Sequence, residues 1–149
     1  MTLWLRLSQV IHAPDFLYHN DRAIILLAEM TSRGSLATGD YTRRCVEVAR
    51  SNTESVIGFV AVRSLHTVLP AAEINKYEDF LIFTTGISQS RKGDGLGQQY
   101  QTPTMAIQGG SDFIIAGRGI YASQDPVETA KSYQLEGWKA YLKRLNEIP

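Results

Sequence analysis

Apolar residues fall along this chain in short runs, most of them followed by a polar, glycine-bearing stretch and then by a segment of helical period. "AIILLAEM" (23–30) is nearly continuous in apolar character, which predicts a strand buried on both faces of a parallel sheet. "YTRRCVEVARS" follows with helical spacing, placing Tyr41, Cys45, Val48 and Ala49 on one side. "VIGFVAV" (56–62) predicts a second strand, and the segment from Arg63 to Asp79, with Pro70 and scattered charge, an irregular connection. "FLIFTTG" (80–86) predicts the third strand and "DFIIAGRG" (112–119) the fourth, with "PTMAIQGG" between them as a short helix ending on glycines. A last helix is marked by Asp125 as N-cap, Pro126 at its first position and Glu128 completing a capping box. Its predicted apolar face carries Val127, Ala130, Trp138, Tyr141 and Leu145. The opening residues, with Leu3, Leu7, Val10 and Ile11 on one side, predict an amphipathic helix. Strands alternating with helices imply βαβ units and a parallel sheet of α/β class, as one domain over 1–149.

Composition narrows the function. The chain has 149 residues, 44% of them hydrophobic and 20% charged, the balance of an ordinary globular domain. Fifteen basic residues against fifteen acidic give a net charge of zero, which argues against a nucleic-acid binder. No apolar run approaches the roughly 18 residues of a membrane span, so no membrane partner is expected. The single cysteine, Cys45, has no internal disulfide partner and reads as a small buried hydrophobe in a reducing cytoplasm.

Candidate chemistry collects at the strand ends. "EMTSRGS", "TTGISQ" and "AGRG" place polar and glycine residues at the C-terminal edge, where ligands bind in α/β sheets and barrels. Gly93, Gly95 and Gly97 follow the third strand with spacing G-x-G-x-G, unlike the dinucleotide fingerprint, and there is no P-loop. Such a loop suits a structural turn or lid as well as a phosphate cradle. Arg118, flanked by Gly117 and Gly119, offers an anion both a guanidinium and backbone N–H groups, though it could equally pair with a carboxylate on the surface. His12, His19 and His66 are far apart and match no metal-ligand spacing. "GSLATG" lacks the nucleophile elbow of a serine hydrolase. Glu29, inside an apolar strand, reads either as catalytic or as the buried partner of a lysine or arginine.

Three stretches in order, "LLAEMTSRGSLATGDYT", "GDGLGQQYQTP" and "DFIIAGRGIYASQDP", resemble orotidine 5′-phosphate decarboxylases of the filamentous-fungal type. "APDF" and "SYQLEGWKAYLKRL" extend the likeness from about Ser8 to the C-terminus. The resemblance implies a (β/α)8 barrel, commonly dimeric, that converts orotidine monophosphate to uridine monophosphate and CO2 in pyrimidine biosynthesis, with no cofactor and no metal. It assigns Gln98, Tyr100, Gly117 and Arg118 to the substrate phosphate and Thr31 to the pyrimidine ring, where many members have serine. It makes Gly86 to Tyr100 the mobile loop that closes over the ligand. Thr85 departs from a common proline.

The resemblance also exposes an absence. The family's Asp-x-Lys-x-x-Asp array does not occur; in "INKYED", Asp79 follows Lys76 by three, but Ile74 stands where the first carboxylate is needed. An eight-stranded barrel takes about 250 residues, so the four predicted strands correspond to strands five to eight, the C-terminal half-barrel. The expected partners are orotidine or uridine monophosphate, together with a second copy or the N-terminal half-barrel. The alternative is a non-catalytic, phosphate-binding half-barrel that acts only by assembling with another chain. A different phosphosugar barrel is disfavoured by "GQQY" combined with "AEMTSRGSLATG".

Overall fold

Four short strands pair side by side in the order β1-β2-β3-β4, every pair parallel: β1 (Ile24–Leu27), β2 (Val56–Val60), β3 (Leu81–Thr84) and β4 (Phe113–Ile114). Helix α1 (Asp40–Arg50) connects β1 to β2, and α2 (Pro103–Gln108) lies between β3 and β4. After β4 come the short α3 (Arg118–Tyr121) and the long α4 (Pro126–Asn146). The computed structural model describes residues 9–15, 21–69, 79–90, 93, 95 and 97–147. Leu3, Leu7, His19, Pro70, Ile74 and Lys76, which carried expectations above, lie outside them.

The register separates the sheet into two faces. Leu26, Phe59 and Ile82 are aligned across β1, β2 and β3, and all three are buried with Cys45, Val46 and Ala49 of α1. Burying side chains of this size contributes about 1.5–3 kcal/mol each. The neighbouring row, Leu27, Val60, Phe83 and Phe113, points to the other face. There Phe83 and Phe113 stack with centroids 4.9 Å apart. No described element covers this face: Leu27 is 43% exposed and Phe113 51%. The expectation that β1 is buried on both faces is therefore wrong for this chain. Its apolar run is continuous, but only alternate residues meet the helices.

Other boundaries are shorter than the apolar runs suggest. β4 is two residues long instead of eight, although Ile115 N–H still donates to the Thr84 carbonyl at 2.8 Å. In α1 the buried residues are Thr42, Cys45, Val46 and Ala49, while Tyr41 is exposed. Thr42 turns inward because its hydroxyl donates to the Ala28 carbonyl at 3.0 Å, just past the end of β1. The α2 expectation holds, with Thr102 as N-cap accepting from Met105 N–H and glycines at the end.

Helix α4 starts as the sequence predicts. Asp125 accepts from Glu128 N–H at 3.0 Å and Pro126 opens the first turn. The second half of the capping box does not form, since Glu128 pairs with Lys131 at 2.6 Å. The predicted apolar face is also corrected: α4 buries Tyr133, Gly137 and Ala140, while Val127, Trp138 and Leu145 are exposed. The C-terminal end of α4 is fixed by Arg144. Its guanidinium donates to the carbonyls of Ile107 and Ser111, both at 2.9 Å, and reaches Asp112 at 3.3 Å. Asp112 in turn accepts from Ile82 N–H at 2.9 Å, so one side chain links α4, the turn after α2 and β3.

Replacing Arg144 with alanine strands two carbonyls and a carboxylate at a partly buried junction. The expected cost is about 2 kcal/mol, at the lower end for charge-assisted bonds because the site is partly wet. Lysine should recover only part of it, lacking the planar fork. Urea unfolding should show a lower midpoint at unchanged slope; a midpoint equal to wild type would contradict this role.

Candidate anion site at the strand ends

Because all strands run the same way, their C-terminal ends share one rim, and the loops after β1, β3 and β4 meet there. The loop after β3 begins at Gly86, whose φ of 69° is left-handed. A Cβ here would collide with the Gln98 side-chain amide and lie 2.8 Å from the Thr31 hydroxyl. Only glycine lets these three groups converge. The base of the loop is closed by Gln101 N–H donating to the Gly86 carbonyl and Ser88 N–H donating to the Gln101 carbonyl, both at 2.9 Å.

The far side of this loop zips onto the loop after β1. Arg33 N–H donates to the Gly97 carbonyl at 2.9 Å and Gln99 N–H to the Thr31 carbonyl at 3.2 Å, around an antiparallel bridge between Ser32 and Gln98. The Gln98 side chain then reaches inward: its amide donates to the Thr31 hydroxyl, and its carbonyl accepts from Ser32 Oγ at 3.5 Å. Thr31 itself is buried. Of the loop glycines, Gly97 has positive φ, at 84°, whereas Gly93 and Gly95 do not.

These loops surround a cavity of about 430 Å³ lined by Gln98, Tyr100, Gly117, Arg118 and Tyr121, with Leu27, Val60 and Ile115 of the open sheet face as its floor. Met30, Thr85, Gly86 and Ile87 complete the wall. Four of the five residues expected to hold ligand thus line one cavity, and the fifth, Thr31, is tied to it through Gln98. Arg118 is the only charged residue among the described lining residues, and its guanidinium lies 6.0 Å from the Tyr100 ring centroid. That cation–π contact is worth about 0.5–1 kcal/mol at an exposed site and helps hold the charge at the cavity. A single cation above an apolar floor favours a ligand with an anionic end and a flat or apolar body.

The remaining candidates take structural roles. Glu29 is buried and pairs with Arg63 at 3.0 Å, while its other oxygen accepts from Val62 N–H at 3.3 Å. It is the buried partner of an arginine, not an acid aimed at the cavity. Burial pushes the Cys45 thiol up, against a smaller opposing hydrogen bond with Tyr41, which leaves it a neutral core group. His12 bonds Ser55 at 3.1 Å and His66 contacts Ser64, both away from the cavity. Among the described residues no cluster of histidine, cysteine and carboxylate could hold a metal ion, and no helix is long and apolar enough to cross a membrane. Ser32 and Tyr121 were not anticipated. Ser32 was legible only as a neighbour of Thr31, and Tyr121 depends on α3 turning back over Gly117.

The family model described as orotidine 5′-phosphate decarboxylase / HUMPS matches residues 9–133. The chain belongs to this family. It is 58% identical over 139 residues to the orotidine 5′-phosphate decarboxylase of Coccidioides immitis (strain RS), covering 93% of this chain and 50% of that protein. The decarboxylase of Emericella nidulans is 57% identical over the same length, with the same coverage. The chain therefore spans about half the length of the curated relatives it matches. Among solved structures, the orotidine 5′-monophosphate decarboxylase of Sulfolobus solfataricus superposes with a TM-score of 0.61 at 19% identity, over 90% of this chain and 54% of that one. The fold is thus half of a (β/α)8 barrel, four parallel strands of eight.

Gly86→Ala tests the convergence of the loops. A left-handed alanine costs about 1–2 kcal/mol, and the collision with Gln98 adds to it. We expect a loss of about 2–3 kcal/mol by denaturant unfolding and faster amide exchange at Arg33 and Gln99. A variant as stable as wild type would show that the loops do not meet through this glycine.

Proposed function

We propose that the chain forms the phosphate- and pyrimidine-binding side of an orotidine 5′-phosphate decarboxylase site. The observation that carries this reading is the cavity in which the Arg118 guanidinium, the Gln98 side chain and the Tyr100 phenol meet at the turn of Gly117. In this reading Arg118 and the N–H groups at the start of α3 take the phosphate oxygens, with Gln98 and Tyr100 closing from the opposite side. Thr31, tied to the Gln98 amide, meets the pyrimidine. Gln98 would then report the presence of phosphate to the residue that touches the ring. The apolar floor offers the body of the ligand a surface to lie on.

Phosphate grip alone does not make a catalyst. Binding energy accelerates a reaction only when it is coupled to the reacting carbon in the transition state. The sequence contains no Asp-x-Lys-x-x-Asp, hence no lysine to protonate that carbon and no carboxylates to hold it. The remaining strands of a barrel would have to bring these groups against the open row of Leu27, Val60, Phe83 and Phe113. The same exposed row, flanked by two open strand edges, favours association with a second copy or with the complementary half-barrel.

Calorimetric titration should therefore give weak binding of inorganic phosphate and of uridine monophosphate. Arg118→Ala should lower affinity about 10–150-fold, the effect of losing a charge-assisted contact of about 1.5–3 kcal/mol. Affinity unchanged in that variant excludes the assignment. Freed of host enzyme, the chain alone should leave the absorbance of orotidine monophosphate constant. Turnover without a second chain would refute the division of labour.

A further inference from the structure

Besides its bonds to the loop after β1, the β3–α2 loop, which carries Gln98 and Tyr100, is tied at both ends to one stretch of α4. Glu136 divides its carboxylate between the two ends of that loop. One oxygen accepts from the Gln89 side-chain amide at 2.7 Å, near where the loop begins. The other accepts from Thr104 N–H at 3.1 Å and from the Thr104 hydroxyl at 2.9 Å, just after the loop ends. Tyr133, one turn earlier, accepts from Gln89 N–H at 3.0 Å, and Ser132 exchanges hydrogen bonds with the Gln89 amide at 3.1 and 3.2 Å.

Packing repeats the pattern. The buried Tyr133 ring clusters with Ile87 and Ala106, one from each end of the loop. Its hydroxyl also lies where a Cβ on Gly119 would stand, so α4 touches the Arg118 turn as well. Burial alone would raise the Glu136 carboxyl, but hydrogen bonds from Thr104, Gln89 and Thr102 outweigh it and hold it below the usual carboxylate range. At neutral pH the group is thus an anion that only accepts, which fits every donor around it.

We infer that Glu136 and Tyr133 are positioning residues: they fix the two ends of the β3–α2 loop relative to each other and to the Arg118 turn, and thereby set where Gln98 and Tyr100 stand over the cavity. Their effect on ligand rests on the proposed anion site; their effect on the loop does not. The three anchoring residues come from a helix 32 to 47 residues distant in sequence from the groups they hold. A helix docked only for stability would need its apolar face alone, whereas this one adds a charged acceptor shared between the loop's two ends.

The test combines calorimetry with hydrogen exchange read by mass spectrometry on the whole chain. Tyr133→Phe keeps the ring and removes one neutral acceptor; it should speed exchange around Gln89 and weaken phosphate and uridine monophosphate binding about fivefold, the fold-change of one such bond. Glu136→Ala should speed exchange at both loop ends, leave α1 unchanged and weaken both ligands about tenfold or more. Glu128→Ala, on the same helix, should change neither reading. If Glu136→Ala lowers stability too far to study, Gln89→Ala cuts the same tie from the loop side and is judged by the same readings. Folded Glu136→Ala or Gln89→Ala protein with wild-type loop exchange and wild-type affinity overturns the inference. Binding insensitive to Arg118→Ala would instead overturn the anion site, and loop exchange would still decide the role of Glu136.

Discussion

Parallel pairing is the constraint on which everything else here depends. Once β1 to β4 run the same way, each connection must travel back across the sheet, and every strand exit falls on one rim. Loops separated by many residues then become neighbours: the one after β1 meets the one after β3 at Ser32 and Gln98, and the turn after β4 brings Arg118 beside Tyr100. No local propensity brings these groups together. The strand direction does.

The same pairing leaves the sheet with two unequal faces. Toward the helices, Leu26, Phe59 and Ile82 form a layer that α1 seals with Cys45, Val46 and Ala49. Away from them, Leu27, Val60, Phe83 and Phe113 form an equally apolar layer that no described element covers. Within a closed barrel such inward rows pack against one another in layers. Here part of the row is the floor of the anion cavity, so the unburied surface and the candidate site are continuous. This joins the two aspects of the proposed function, grip at the rim and assembly across the face.

Polar contacts are concentrated where backbone pairing stops. Thr42 caps the Ala28 carbonyl, Thr84 donates to the Ala61 carbonyl at 2.9 Å, and Asp112 takes the Ile82 N–H. Each satisfies a strand-end group that a short sheet would otherwise leave buried without a partner. Glu29 with Arg63 does the same at the β1 and β2 ends. The constraint at Gly86 is separate: there the Gln98 amide and the Thr31 hydroxyl stand where a Cβ would be.

Much of this was legible in the residues. Apolar runs and their alternation with helical period determined strand number and parallel direction, because period and connection length are local properties. Asp125-Pro126 marked the start of α4 because capping is satisfied within one turn, whereas the Thr102 cap of α2 came only from the structure. The motifs around Thr31, Gln98, Tyr100, Gly117 and Arg118 identified the family, and four of these five residues line the cavity. Tertiary structure alone decided what each face meets. Whether Val127 or Tyr133 is the buried side of α4, whether β1 is covered once or twice, and that Glu29 pairs with Arg63 all depend on neighbours distant in sequence. The tie from Glu136 to both ends of the β3–α2 loop belongs to the same class. Periodicity records that a residue can be buried; only the packed chain determines against what, because burial is a relation between elements and not a property of one.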